Sequence, residues 1–209
     1  HGRADICFLR DAKTPMTKEE VREVSICKLH LTQNAVVYDI GSGTGSVAIE
    51  IAGVPGRVQV YAIERKPEAV ELLRKNREQF HMDNIQIIEA LAPEGLEELP
   101  VPTHAFIGGS GGRLLDILQV LYRKNPHMRI VINAISMETI AELKEVLDTF
   151  PVEEEEILQM QVSRVKKLLS YHLPQAENPV WICSFTFRET GKDPMDHAKK
   201  TKPGAEETG

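Results

Sequence analysis

The chain has 209 residues, enough for one compact domain with a continuous core around a single sheet, plus a short tail. Its hydrophobic share of 42% and charged share of 27% are those of an ordinary globular domain, and its longest apolar runs are too short to cross a bilayer. A formal net charge of −6 argues against a protein that holds nucleic acid through a broad field of Lys and Arg.

The first predicted element is a helix over about 17–30, where apolar residues recur at helical spacing. The letters T-K-E-E, which begin at Thr17, predict a capping box at its start. In that arrangement the Thr17 hydroxyl accepts from the Glu20 backbone N–H, and the Glu20 carboxylate reaches back.

Strands and helices then alternate through the middle of the chain. The predicted strands are 36–40, 58–63, 85–88, 105–107 and 129–134, and the predicted helices begin near Gly45 and cover 67–80, 111–124 and 136–149. This alternation predicts a mostly parallel sheet with helices on both faces.

The last part of the sequence changes character. Residues 156–165 alternate polar with apolar side chains, and 180–187 form an aromatic-rich strand, so we expect an antiparallel pair that closes one edge of the sheet. Residues 189–209 contain almost nothing apolar, which predicts a disordered polar tail after a domain that spans 1–188.

A glycine loop with the letters D-I-G-S-G-T-G follows the first predicted strand at 39–45. Its glycines allow the backbone to approach a ligand, and the next helix would direct N–H groups at negative charge. The dinucleotide-binding fingerprint requires its third glycine three positions after the second, where this chain has Ser46. The spacing instead resembles the first motif of class I S-adenosylmethionine-dependent methyltransferases. That resemblance implies that the methionine end of the donor, with its carboxylate, faces Gly41, Ser42, Gly43, Thr44 and Gly45.

Two further positions are predicted to contact the donor. Glu64 ends the second strand, where a carboxylate can accept both ribose hydroxyls of an adenosine; the alternative is a solvated charge at a strand end. After the third strand, Ala92 is expected beside the adenine ring, with a simple exit from the strand as the alternative.

A second glycine run, F-I-G-G-S-G-G at 106–112, follows the fourth strand. Gly109, Ser110, Gly111 and Gly112 would open a backbone concavity whose N–H groups could hold a substrate carboxylate or carbonyl. The alternative is a flexible turn in which Ser110 helps to cap the next helix.

Four segments together carry a more specific likeness: P-M-T-K-E-E-V-R at 15–22, D-I-G-S-G-T-G-S at 39–46, Y-A-I-E-R at 61–65 and F-I-G-G-S-G-G at 106–112. They resemble the decarboxylating cobalt-precorrin C15-methyltransferases of cobalamin biosynthesis, in matching order over about residues 8–187. One departure lies at 163–167, where relatives tend to have a glycine beside the arginine.

The resemblance implies a class I methyltransferase (Rossmann-like) fold, with a seven-stranded mostly parallel sheet and an antiparallel edge hairpin. It also implies S-adenosylmethionine as methyl donor and a reduced tetrapyrrole as substrate. The reaction would be methylation at carbon 15 with decarboxylation of the acetate at carbon 12. Thr17 would then contact the donor, and the family often forms homotetramers.

A tetrapyrrole with acidic side chains calls for cations that can form charge-assisted hydrogen bonds. The candidates are Arg10, Lys13, Lys18, Arg113 and Arg164, each of which could instead be a solvated surface charge. Asn133 and Ser136, at the end of the fifth strand, are expected to face the same crevice. No catalytic side chain can be named, because methyl transfer mainly requires an in-line nucleophile at close distance.

The cysteines and histidines predict no metal site. Cys7, Cys27 and Cys183 are odd in number and widely spaced, which suits neither a disulfide framework nor paired zinc ligands, and the histidines have no ligand spacing. Without a charged-then-apolar leader after His1, a cytoplasmic location is expected.

Two alternatives stay open from the sequence. The first is an RNA methyltransferase that acts on transfer-RNA adenosine and shares the fold, although the acidic charge predicts no nucleic-acid partner. The second is a non-catalytic binding or scaffold protein, which has no need of three correctly spaced glycines. Neither alternative, nor the main hypothesis, calls for a membrane partner.

Overall fold

The computed structural model describes residues 2–191 and 194. Its helices are α1 (Glu19–Leu29), α2 (Ser46–Ala52), α3 (Pro67–Gln79), α4 (Leu114–Lys124) and α5 (Met137–Thr149). Its strands are β1 (Val36–Ile40), β2 (Gln59–Glu64), β3 (Ile85–Glu89), β4 (His104–Ile107), β5 (Arg129–Ala134), β6 (Val152–Met160), β7 (Ser163–Leu168), β8 (Tyr171–Ala176) and β9 (Val180–Phe187). The tail predicted at 189–209 lies almost wholly outside the described residues. None of the described helices combines the length and the apolar character needed to cross a membrane.

Seven strands form one sheet in the order β3-β2-β1-β4-β5-β9-β6. The first five pair in parallel, whereas β9 runs antiparallel to both β5 and β6. The class I fold and the antiparallel edge pair are therefore confirmed.

The sheet is buried on both faces, because its central strands direct successive apolar side chains to opposite sides. Val37 packs in the layer that contains α1, α2 and Leu73 of α3, whereas Tyr38 and Ile40 pack in the layer that contains α4 and α5. This continuous burial explains why the strands read as nearly unbroken apolar runs in the sequence.

The region predicted as one strand at 156–165 is two strands. β6 ends at Met160, and β7 begins at Ser163 and pairs with β8 in a separate antiparallel hairpin. Every residue of this β7–β8 hairpin except Arg164 is exposed. A polar–apolar alternation therefore marked strand structure correctly but did not indicate where the chain turns.

The capping box predicted at Thr17 is wrong. The N-cap of α1 is Lys18, which makes no side-chain capping bond, and the Glu20 carboxylate pairs with Arg164 instead. The long-range ion pair therefore occupies the carboxylate that the local pattern had assigned to the helix start.

The carboxyl ends of the parallel strands meet at one edge of the sheet. The loops after β1, β2, β3 and β4 leave from this edge, where ligands of open α/β sheets bind. Both glycine runs predicted from the sequence belong to these loops, the first after β1 and the second after β4.

Candidate functional site

The glycine loop after β1 requires glycine at all three of its predicted positions. Gly41, Gly43 and Gly45 have φ angles of +73°, +55° and +80°, a region that side chains with a β-carbon rarely adopt. A β-carbon at Gly41 would lie 2.6 Å from the carbonyl oxygen of Gly109, and one at Gly43 would lie 2.7 Å from that of Pro15. The two glycine runs therefore touch through bare backbone.

The loop fixes its own shape through its amides. The N–H groups of Gly41 and Ser42 donate to the Ile63 carbonyl at 3.0 and 3.1 Å, and that of Gly45 donates to Ser42 at 2.8 Å. The Gly43 N–H donates to the Glu64 carboxylate at 2.9 Å. Each of these four amides already has an acceptor within the protein. The glycines of the loop allow a ligand to lie directly against the backbone.

Asp39, the last acidic residue before the loop, is fully buried. Its Oδ2 accepts the Ser42 hydroxyl at 2.6 Å, and its Oδ1 has no partner among the described residues. Burial raises the pKa of Asp39 to about 7, and the negative charge of Glu64 adds to the rise, whereas the Ser42 hydroxyl and the nearby Ala48 amide oppose it. The carboxyl thus changes charge near neutral pH directly beneath the loop.

Glu64 presents its carboxylate where β2 meets the glycine loop. One oxygen accepts from Gly43, and the other accepts the backbone N–H groups of Arg65 and Lys66, each at 2.9 Å. Three amide donors hold the carboxylate in one orientation, so that Glu64 is rigidly placed rather than a mobile charge at a strand end.

A crevice of about 240 Å³ lies between the loops that leave this edge of the sheet. Of the predicted donor residues, Thr17, Gly41, Ser42, Gly43, Glu64 and Ala92 line it. Thr44 and Gly45 do not. Thr44 is completely buried, with its carbonyl bonded to Asn76, and Gly45 is the N-cap of α2 and packs on Leu73. Thr44 and Gly45 therefore fix the loop through their contacts with α3 and do not face the crevice.

The second glycine run forms another wall of the crevice. Gly109, Ser110 and Gly111 line it, whereas Gly112 does not. The Ser110 hydroxyl donates to Glu142 of α5 at 3.3 Å, and the N-cap of α4 is Arg113, which has no side-chain capping bond. The capping alternative for Ser110 is therefore not what the structure shows.

Two of the predicted substrate cations are already paired with acids. Arg113 contacts both carboxylate oxygens of Glu94 at 2.7 Å, which together with Asp116 raises the pKa of Arg113. Arg164 bridges Glu20 and Glu177.

Two other predicted cations lie free on the surface. Arg10 and Lys13 are exposed, do not line the crevice and form no salt bridge with another described residue, although the charge of Lys13 interacts with that of Asp11. Lys18 lies 3.7 Å from Asp5. The structure therefore leaves Arg10 and Lys13 as the predicted cations that are available to a ligand.

Asn133 and Ser136 do not line the crevice. The Asn133 amide exchanges hydrogen bonds of 3.0 and 3.1 Å with Ser25 on α1, and the Ser136 hydroxyl accepts from the Thr139 N–H as the cap of α5. Alternate residues of a strand point to opposite faces, and Asn133 of β5 points to the α1 face. Its place at a strand end was therefore insufficient to predict its role.

Sequence reasoning missed a covering segment. Thr14 and Pro15 line the crevice beside Thr17, and the buried Thr14 hydroxyl has no partner among the described residues. Arg65 and Lys66 line it next to Glu64. Pro15 and Thr17 lie within the P-M-T-K-E-E-V-R motif at 15–22, whereas Thr14 directly precedes it.

Comparison with known proteins decides the family, since a model of the precorrin methyltransferase domain matches residues 7–186. The chain belongs to the precorrin methyltransferase family. That span includes every strand of the main sheet except the last residue of β9, and it includes all the loops that form the crevice.

Relatives within the precorrin methyltransferase family are similar along nearly their whole length. A probable cobalt-precorrin-6B C(15)-methyltransferase (decarboxylating) of Sulfolobus acidocaldarius is 38% identical, over 87% of this chain and 95% of that protein. The cobalt-precorrin-6B C(15)-methyltransferase (decarboxylating) of Salmonella typhimurium is 35% identical, over 85% and 92%.

A solved structure from the same family has the same fold. The precorrin-6y C5,15-methyltransferase of Geobacter metallireducens matches with a TM-score of 0.80 and 35% identity, over 90% of this chain and 97% of that one. The likeness to a precorrin methyltransferase therefore extends from the motifs to the whole domain.

Proposed function

We propose that this chain is an S-adenosylmethionine-dependent C-methyltransferase that methylates a reduced tetrapyrrole at carbon 15 and removes the carboxyl of the acetate at carbon 12. One observation carries the proposal: in a member of the precorrin methyltransferase family, the two glycine runs meet at Gly41 and Gly109 and enclose one crevice with Glu64. The named activities of the relatives support the same reaction.

The residues of the crevice fit the donor. Gly41 and Gly43 leave space that β-carbons would fill, so a ligand can lie against the backbone. Glu64 would accept ribose hydroxyls, and Ala92 with the half-exposed Leu91 would contact the adenine ring. When bound, S-adenosylmethionine supplies an activated methyl group.

The substrate would lie against the second glycine run. Ser110 and its glycine neighbours leave a wall without bulky side chains, which suits the flat face of a ring system. Arg10 and Lys13 are free to form charge-assisted hydrogen bonds with acidic side chains of the ring. Arg113 and Arg164 are removed from the proposed set, because their charges are already matched by acids.

The main contribution of the protein to this reaction would be to position the donor and the ring. Carbon 15 of the ring provides the electron pair of the new carbon–carbon bond, and the thioether of the donor leaves. The electron pair of the broken bond to the carboxyl returns to the conjugated ring as carbon dioxide departs. Holding the two reactants at close distance can lower such a barrier by several kcal/mol.

We also propose a homo-oligomer, a tetramer by family resemblance, that assembles through the β7–β8 hairpin. An isolated two-stranded hairpin is marginal in water, yet this one exposes Val165, Leu168, Leu169, Tyr171 and Leu173, each at 47% or more. Within the described part of the chain, neither of its outer strand edges pairs with another strand.

The proposed compartment is the cytoplasm. Cys7 and Cys27 are exposed free thiols, which persist most readily where glutathione and thioredoxin keep thiols reduced. The proposed partner is the tetrapyrrole itself, with neither nucleic acid nor membrane.

The test of the reaction is incubation with methyl-labelled S-adenosylmethionine and a reduced precorrin, followed by mass spectrometry. We expect one labelled methyl gained and one carbon dioxide lost from the same product. A methyl gain alone would remove the decarboxylation from the proposal, and an unchanged precorrin would refute the tetrapyrrole as substrate.

Two binding measurements separate the alternatives. Calorimetric titration with S-adenosylhomocysteine should give a saturable heat, whereas no heat at millimolar ligand would favour a non-catalytic scaffold. Retention on heparin at moderate salt would favour an RNA methyltransferase, and we expect none.

A further inference from the structure

The segment of residues 2–18, here called the strap, contacts α1, α2 and α3 and then reaches the crevice. Its far end lines the crevice with Thr14, Pro15 and Thr17. The Pro15 carbonyl approaches Gly43 so closely that a β-carbon there would lie 2.7 Å from its oxygen. The strap is thus one wall of the proposed donor site, and its position determines whether that wall is complete.

One buried side chain joins the strap to the glycine loop. Asn76 of α3 is fully buried, and its Oδ1 accepts the Leu9 N–H at 2.7 Å. Its Nδ2 donates to the Leu9 carbonyl and to the Thr44 carbonyl, each at 2.9 Å. A single amide group therefore uses both of its donors and its acceptor to hold two segments that lead into the crevice.

The strap is held at a second point nearer the crevice. Arg22 of α1 is fully buried, and its Nη1 donates to the Thr17 carbonyl at 2.7 Å and to Asp5 at 3.1 Å. Residues 10–16 therefore span two fixed points, with Asn76 at one end and Arg22 at the other. Between them the side-chain hydrogen bonds are local, because the amides of Lys13 and Thr14 donate to the Asp11 carboxylate.

We propose that Asn76 is a positioning residue for the donor, acting through Leu9 and Thr44 rather than by touching the ligand. The inference rests on the proposed function, because it takes S-adenosylmethionine as the ligand. Asn76 fixes the strap relative to the glycine loop, so that Thr14 and Pro15 lie over Gly43 before the donor binds.

Asn76→Asp is the sharpest test, because it keeps the shape of the side chain and removes both donors. An oxygen would then face the carbonyls of Leu9 and Thr44, while the bond from the Leu9 N–H could remain. Asn76→Ala serves as the second variant, since it removes all three bonds without introducing a charge in a buried site.

Asn84→Asp is the matched control. The Asn84 Nδ2 also donates to two carbonyls, those of Ala52 and Val58, at 2.9 and 3.0 Å. Asn84 does not line the crevice, and its side-chain amide donates to α2 and to the residue before β2 rather than to the strap. Both Asp variants therefore lose the same kind of hydrogen bond, and only Asn76→Asp loses one to the strap.

Two readouts are compared below the unfolding transition of each variant. The first is the dissociation constant of S-adenosylhomocysteine by calorimetry. The second is the rate of tryptic cleavage after Arg10 and Lys13 without ligand. We expect Asn76→Asp and Asn76→Ala to weaken binding about 10-fold or more and to speed strap cleavage, as the loss of two or three buried hydrogen bonds predicts. Asn84→Asp should match the wild type in both.

Wild-type affinity in both Asn76 variants would overturn the inference, whatever their cleavage rates. Equal loss of affinity in Asn84→Asp would also overturn it, because the effect would then be one of general stability. If the wild type itself fails to bind S-adenosylhomocysteine, the proposed function is refuted. Unchanged rates of strap cleavage in the Asn76 variants would instead show that Asn76 does not hold the strap.

Discussion

Replacing Gly45 with alanine should destabilise the protein through a single identifiable clash. Gly45 is the N-cap of α2 at φ +80°, and a β-carbon there would lie 2.1 Å from Cδ1 of Leu73. Leu73 is fully buried on α3, so it has no free space into which to turn. A left-handed backbone costs an L-residue about 1–2 kcal/mol. Displacing a close-packed leucine adds about 1–3 kcal/mol.

The expected loss in free energy of unfolding is therefore about 2–5 kcal/mol, a large share of the roughly 5–15 kcal/mol of a typical domain. Urea unfolding measures it, with the fluorescence of Trp181 in β9, the chain's one tryptophan, as the signal. Gly109→Ala is the matched control, since a β-carbon there meets nothing within 4 Å and its φ is not in the left-handed region. It should change stability by less than about 0.5 kcal/mol.

A double-mutant cycle isolates the clash from the backbone term. In a Leu73→Ala background the Cδ1 atom is gone, so Gly45→Ala should then cost only the backbone share of about 1–2 kcal/mol. An equal cost of Gly45→Ala in both backgrounds would refute the clash, and so would a cost no greater than that of Gly109→Ala.

Three further outcomes are expected. Because the pKa of Asp39 is raised to about 7 in the folded state, the folded protein keeps a proton that the unfolded chain loses near pH 4. This carboxyl therefore lowers stability by up to about 4 kcal/mol as pH rises from 4 to 7 and no further above it. The free energy of unfolding of Asp39→Asn, measured with urea, should rise relative to that of the wild type between pH 5 and pH 8. A constant difference between the two proteins across this pH range would contradict the titration of the buried carboxyl. Leu168→Asp should dissociate the proposed oligomer, as measured by light scattering after gel filtration. Val101→Asp, whose side chain is 59% exposed outside the β7–β8 hairpin, should leave the oligomer intact. A monomeric wild type would contradict the proposed oligomer. Glu64→Gln should weaken S-adenosylhomocysteine binding about 10-fold or more. The reason is that an amide N–H₂ would face the backbone donors of Gly43 or of Arg65 and Lys66. Unchanged affinity would exclude the proposed contact of Glu64 with the ribose.

The regular part of the fold was predictable because its strands are buried on both faces. β1, β2 and β5 appear as short β-branched runs between turn residues, and their boundaries fall within one residue of the prediction. The hairpin of β7 and β8 was not predictable in the same way. Its turn is made by Leu169 at φ +57° without a glycine, and Pro174 lies inside β8, where proline argues against a strand.

Some residues of the candidate site could be predicted from the sequence, and others could not. Gly41, Gly43 and Glu64 follow from local spacing, because a tight turn and a strand end have recognisable residue types. Thr14 and Pro15 could not be placed from local pattern, since they reach the crevice only through the fold of the strap around α1 and α3. Asn133 was expected to face the crevice but bonds to Ser25 of α1, because a strand end specifies the edge of the sheet but not the side to which a residue points.

The contact of Gly41 with Gly109 has a consequence for redesign of the enzyme. Peptide units alone set the separation between the two loops, so no rotamer can widen or narrow the gap. Changes of substrate preference can therefore be sought around Ser110 and Glu142 without altering the backbone contact between the two loops. A library that leaves both glycines untouched would vary the side chains around that contact and keep the contact itself.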